Sequence, residues 1–78
     1  PQRCKVLPGL APNRRVRRRI VEMPDRPPGA YRLTVSSSGT LLEAADEAGL
    51  FYGQQTLRQV DASSPEGRPC LEIEDWPA

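Results

Sequence analysis

Proline placement constrains this chain more than any other feature. Nine prolines in 78 residues gather at the two ends and between the periodic segments. Proline lacks a backbone donor and fixes φ, so it breaks helices and confines strands to edges or to their first residue. A bundle of long helices is thereby excluded, and short elements joined by extended connections are expected. A chain of this length makes one domain and buries only about 60–65% of its unfolded surface, so its core is thin. Hydrophobic residues are 37% and aromatics 5% of the chain, a lean supply that leads us to expect one face to need company.

The periodic segments are legible between the breaks. Residues 1–14, with Pro8, Gly9 and Pro12, show no period and read as an irregular lead-in. Val16 to Met23 has the β-branched Val16, Ile20 and Val21 of a strand, with arginines on both faces as at a sheet edge. From Ala30 to Ser36, Tyr31, Leu33 and Val35 alternate with Arg32, Thr34 and Ser36, the period of a half-buried strand. Ser37-Ser38-Gly39 supplies a tight turn into a second strand, Thr40 to Ala45, and the two form a hairpin.

Asp46 then reads as a helix cap, with Glu47 near the positive end of the dipole. Leu50, Gly53, Leu57 and Val60 share one helical stripe. Gly53 costs about 1 kcal/mol relative to Ala in a helix interior, which predicts that a side chain there would hold the helix off the sheet. Residues 62–69 are a polar loop, and Cys70 to Asp75 is a last strand with Leu71 and Ile73 inward. The expected fold class is α+β: a small, mostly antiparallel sheet with one main helix on one face. Residues 15–78 make up that domain.

Little catalytic chemistry is within reach of these residues. The chain has no histidine, so the commonest general base and metal ligand is missing. Glu72 and Glu74 would project about 6.5–7 Å apart from one strand face. That spacing invites an acid–base pair, but a solvent-facing strand looks the same and is the preferred reading. Cys4 and Cys70 are too few for a disulfide scaffold or a zinc site; whether they pair with each other stays open. No cofactor is expected. Eleven Lys+Arg oppose ten Asp+Glu, yet Arg14, Arg15, Arg17, Arg18 and Arg19 crowd the front. Such a run can bind phosphates, but base stacking wants several aromatics beside it. A solvated or salt-bridged strand face is preferred, and no nucleic-acid partner is expected. No apolar run approaches the roughly 20 residues that span a bilayer, so no membrane partner is expected either. The chain opens on Pro1 rather than Met, which leads us to expect a processed or trimmed piece of a longer protein. Its compartment stays open, secreted or cytoplasmic.

Three stretches resemble a known family. They are Ala30-Tyr31-Arg32-Leu33-Thr34-Val35, the run Leu42 to Gln59 with Gly49-Leu50-Phe51-Tyr52-Gly53 and Thr56-Leu57-Arg58-Gln59 inside it, and Glu72-Ile73-Glu74-Asp75-Trp76-Pro77. Together they resemble the N-terminal accessory domain that precedes the catalytic barrel in bacterial β-N-acetylhexosaminidases of glycoside hydrolase family 20. A similar domain precedes the barrel in family 84 enzymes; the ending Ile73 to Pro77 favours family 20. The resemblance implies a small sheet with a helix on one side, and a catalytic Asp–Glu pair in the barrel rather than here. It implies a domain without catalytic residues that packs on the barrel of its own parent chain and meets glycan only through it. Tyr52 and Trp76 are the candidate interface residues. An independent carbohydrate- or protein-binding module is the alternative, and an Arg-rich nucleic-acid-binding fragment is a further one. Two departures stand out: the family domain often has a further strand and helix ahead of Val16, and Gln54 occupies an expectedly apolar, sheet-facing position.

Overall fold

A computed structural model describes residues 2–77. The expected α+β architecture is present as a five-stranded sheet with a single helix on one face. The hairpin strands β3 (Tyr31–Ser36) and β4 (Gly39–Ala44) pair antiparallel from Tyr31↔Ala44 to Ser36↔Gly39. Only Ser37 and Ser38 are left in the turn, and Gly39 takes φ +123°, which an L side chain rarely adopts. The inward residues Tyr31, Leu33, Val35, Leu42 and Ala44 are all buried, as the period-2 pattern requires.

Helix α1 (Glu47–Ser63) follows β4 and leads to β5 (Arg68–Asp75), which pairs antiparallel with β3. Because β4 and β5 both oppose β3, they run the same way, and α1 is the crossover that joins them over one sheet face. Asp46 caps the helix as expected, its carboxylate accepting from the Gly49 amide at 2.8 Å. The same carboxylate accepts from the Gly29 amide at 3.1 Å and 3.2 Å, so the cap also fastens the loop ahead of β3. Gly53 has the predicted role: a Cβ built on it would run into Leu42 Cδ1. The helix approaches so closely that only a hydrogen fits. Gln54 is half-buried, beside rather than in the buried stripe of Gly49, Gly53 and Leu57.

The two remaining strands lie at the edges of the order β1-β5-β3-β4-β2. Strand β2 (Val16–Ile20) is an edge strand as expected, parallel to β4 and ending well before Met23. Pro24, Pro27 and Pro28 follow it, and no ladder could continue through them. The front of the chain is not an irregular lead-in: Gln2–Ala11 form β1, paired antiparallel with β5 from Gln2↔Asp75 to Ala11↔Arg68. The register shifts between Val6 and Leu10, around Pro8 and Gly9, and Gly9 has φ +93°. This bulge absorbs the proline that hides the strand's period. Cys4 sits opposite Ile73, three residues along the strand from Cys70, or about 10 Å. Both cysteines are free, and that separation exceeds the roughly 7 Å Cα limit of a disulfide.

One buried charge ties the elements together at the end where α1 leaves the sheet. Arg68, the first residue of β5, is buried and bonds Asp61 of the last helical turns through Nε at 2.7 Å and Nη2 at 3.0 Å. Its Nη1 donates to Thr40 Oγ1 at 3.1 Å and to the Arg14 carbonyl at 3.2 Å. The guanidinium thus has partners on α1, on β4 and on the turn ahead of β2. Bonding from Arg68, helped by its positive charge, holds the Asp61 carboxyl below its ordinary range despite some desolvation. Removing one member of a buried pair leaves an uncompensated charge, at about 3–5 kcal/mol. Asp61 is 36% exposed, so water offsets part of that cost, and about 2 kcal/mol is expected.

The Asp61→Asn substitution therefore lowers stability by about 2 kcal/mol at neutral pH, read by urea denaturation. A carboxyl whose folded pKa is depressed contributes fully above its unfolded pKa and loses that contribution as pH falls through the folded value. The difference between D61N and the parent sequence is accordingly constant above about pH 5 and shrinks below about pH 4. A gap that stays the same down to pH 2 would contradict the pairing.

Candidate domain interface

The two sequence-predicted interface residues meet at one corner of the sheet, where β5 ends. Tyr52 and Trp76 line a shared cleft of about 290 Å³ with Gly29, Tyr31, Asp75 and Pro77. They come from elements 24 residues apart, and the turn of α1 beside the end of β5 brings them together. Their environments differ. Tyr52 is 47% exposed, whereas Trp76 is half-buried with the Arg26 guanidinium 4.2 Å from its ring centroid. Arg3 of β1 approaches the same ring at 5.7 Å. Arg26 is itself held by Glu74 at 3.2 Å, so Trp76 is clamped to the loop ahead of β3 by a cation–π contact worth about 1 kcal/mol.

The backbone of that corner is fixed as well. Asp75 Oδ1 accepts from the Trp76 amide at 2.9 Å, while Asp75 Oδ2 accepts from the Tyr31 hydroxyl at 3.4 Å. The Tyr31 hydroxyl also bonds Thr56 on α1. Burial pushes the Tyr31 phenol above its ordinary pKa, and the Asp75 charge adds to the rise against the opposing Thr56 bond. The phenol therefore keeps its proton through neutral pH and remains a donor to Asp75. A Cβ on Gly29, which has φ +86°, would lie 3.0 Å from Pro77 Cγ, so only glycine lets residue 77 settle there.

Beside this corner lies the residue that the sequence reading did not single out for the interface. Phe51 is 59% exposed and meets Tyr52 edge-to-face at 5.8 Å between ring centroids. Its position gives the signal: residue 51 falls outside the buried 49, 53, 57 stripe, so an aromatic there points away from its own sheet. Two adjacent exposed aromatics on a thin domain form an apolar patch of the kind that marks contact sites.

The opposite sheet face is built of charge. Glu43 pairs with Arg19 at 2.8 Å and with Arg32 at 3.4 Å. Glu72 stands opposite Lys5, and Glu74 opposite Arg3 and Arg32 in the ladders. The Glu72–Glu74 pair is thus part of a cross-strand charge pattern, in which opposite charges each contribute roughly 0.2–1 kcal/mol. Arg14, Arg15, Arg17, Arg18 and Arg19 fall on β2 and the turn before it, and Trp76 is three strand positions away, roughly 14 Å. Among the described residues no group of three or more His, Cys, Asp or Glu side chains is placed to hold a metal ion, and no helix is long and apolar enough to cross a membrane.

Known proteins are similar to this chain in sequence and in fold. The family described as glycosyl hydrolase family 20, domain 2, matches residues 5–76. A β-hexosaminidase of Akkermansia muciniphila is 44% identical over 59 residues, covering 72% of this chain and 12% of that protein. An N,N'-diacetylchitobiase of Vibrio harveyi is 36% identical over 50 residues, covering 63% of this chain and 6% of that protein. A crystal structure of a β-N-acetylhexosaminidase superposes with a TM-score of 0.77 at 36% identity, over 96% of this chain and 16% of that one. The chain therefore spans a small part of each relative. The match also begins at residue 5, inside β1, in keeping with a front strand that belongs to the domain. With its sequence and fold both matched, the chain belongs to glycosyl hydrolase family 20 as its domain 2, a non-catalytic domain of β-hexosaminidases.

Proposed function

We propose that this domain packs on the catalytic domain of its own parent chain through the outer face of α1 and the corner at the end of β5. The parent removes terminal N-acetylhexosamine residues from glycans, and this domain supports the catalytic domain without contacting the sugar residue being cleaved. The exposed Phe51–Tyr52 pair beside the clamped Trp76 carries the reading. A residue pair so placed adds little to its own core and gains most when a second surface covers it. The clamp gives that surface a rigid rim: Arg26, Glu74 and Asp75 hold Trp76 in place, so little side-chain entropy remains to be lost on docking. On Trp76 the ring face on which a sugar would stack is already taken by Arg26.

Hydrolysis of a chromogenic N-acetyl-β-glucosaminide separates the readings. The full-length parent hydrolyses it and the isolated chain does not. In the parent, Phe51→Ser with Tyr52→Ser lowers stability by about 2 kcal/mol through lost contact between domains. In the isolated chain, where both rings are about half open to water, the same pair changes stability by less than about 1 kcal/mol. Hydrolysis by the isolated chain, or equal effects in both settings, would contradict the proposal.

A further inference from the structure

We infer that the β2 edge of the sheet is a binding surface for an anionic glycan, one carrying sulfate or carboxylate groups along its chain. Five arginines occupy positions 14–19, and all five are exposed. Among the described residues only one of them, Arg19, makes an ion pair, and its partner Glu43 is shared with Arg32. Arg14, Arg15, Arg17 and Arg18 have no carboxylate within salt-bridge distance. A chain with net charge +1 therefore gathers several positive charges without ion-pair partners on one edge, with Asp61 the carboxylate that Arg14 feels at longer range, while Glu72, Glu74 and Asp75 sit on β5 near Arg3 and Arg26.

These arginines stand on a fixed frame. The Arg15 carbonyl accepts from the Thr40 amide at 2.9 Å, and the Arg15 amide donates to Asn13 Oδ1 at 2.8 Å. The Arg14 carbonyl is held by the buried Arg68 at 3.2 Å. Along β2 itself, Arg17 and Arg19 project from one face about 7 Å apart and Arg18 from the other. Guanidinium groups thus flank the unpaired edge from both sides. The planar fork of arginine matches sulfate and carboxylate in two-point contact. Like charges in a row repel one another, and an oxyanion chain laid along the edge relieves that repulsion.

The chemistry favours glycan over nucleic acid. Binding single strands draws on stacked aromatics worth about 1–3 kcal/mol per base, and every residue from Pro12 to Ile20 is non-aromatic. The choice of a glycan rests on the hexosaminidase reading above; the choice of a polyanion rests on β2 alone.

The test uses the full-length parent and chondroitin sulfate as the probe, with an oligo-dT strand of similar charge beside it. Binding to chondroitin sulfate is expected to be the tighter of the two and to weaken at least about tenfold between 50 and 200 mM salt. The double variant Arg17→Glu with Arg18→Glu is expected to bind about tenfold more weakly at 50 mM salt, with a shallower salt dependence. Lys5→Ser on the far edge should leave binding unchanged. Thermal unfolding of each variant confirms that it is folded. Tighter binding to oligo-dT, or binding that ignores the charge reversal, would overturn the inference, as would no binding at low salt. Hydrolysis of the neutral chromogenic substrate is recorded on the same samples. Retained hydrolysis without glycan binding sinks only this inference, whereas a parent without hydrolysis sinks the reading beneath it.

Discussion

The buried guanidinium of Arg68 is the constraint around which the rest of the domain closes. Its five donors cannot be left unmet in a thin core, because a buried unpaired charge costs more than any single apolar contact here returns. Meeting them requires the end of α1, the start of β4 and the turn ahead of β2 to converge on the start of β5. At the other end of the helix Asp46 performs the matching task, accepting from both Gly49 and Gly29. Between these polar fastenings, Gly53 lets the helix settle onto Leu42. Fixed at both ends and close-packed in the middle, α1 has little freedom to shift over the sheet. Its outer face is then held in a defined position.

Much of this was legible in the residues, and the parts that were not share a cause. The hairpin, the Asp46 cap and the reason for Gly53 all follow from local period and turn chemistry, where each residue's environment is set by near neighbours. Strand β1 was hidden because its ladder partners on β5 lie far along the chain, from Ala11↔Arg68 to Gln2↔Asp75, and because Pro8 and Gly9 interrupt its alternation. A cross-strand signal was nonetheless present: Arg3 and Lys5 repeat at the same spacing as Glu74 and Glu72, which the ladder places opposite them. Those glutamates, considered alone, resemble an acid–base pair; beside their partners they are half of a charge pattern. At the candidate interface, Tyr52 and Trp76 were anticipated and do line one cleft. The clamp on Trp76 was not anticipated, since Arg26 sits in a proline-rich loop whose path no local rule fixes.

Charge and apolar surface are segregated across this small domain, and that segregation organises its proposed roles. The open sheet face carries interleaved Arg and Glu that neutralise one another and read as solvated. The β2 edge carries positive charge without matching carboxylates, and the outer face of α1 carries Phe51 and Tyr52. One domain can thus offer an apolar surface to a neighbouring domain and a basic edge to a ligand without the two competing. The chain corresponds to a non-catalytic part of much longer enzymes.

Hydroxyl-radical footprinting shows whether a second domain covers the outer face of α1, as proposed. Phe51 and Tyr52 would be labelled in the isolated chain and again in the full-length parent. The account predicts strong labelling of both rings in the isolated chain and marked protection of both in the parent. Labelling of Phe51 and Tyr52 to the same extent in both would contradict it, because the helix face would then meet only water.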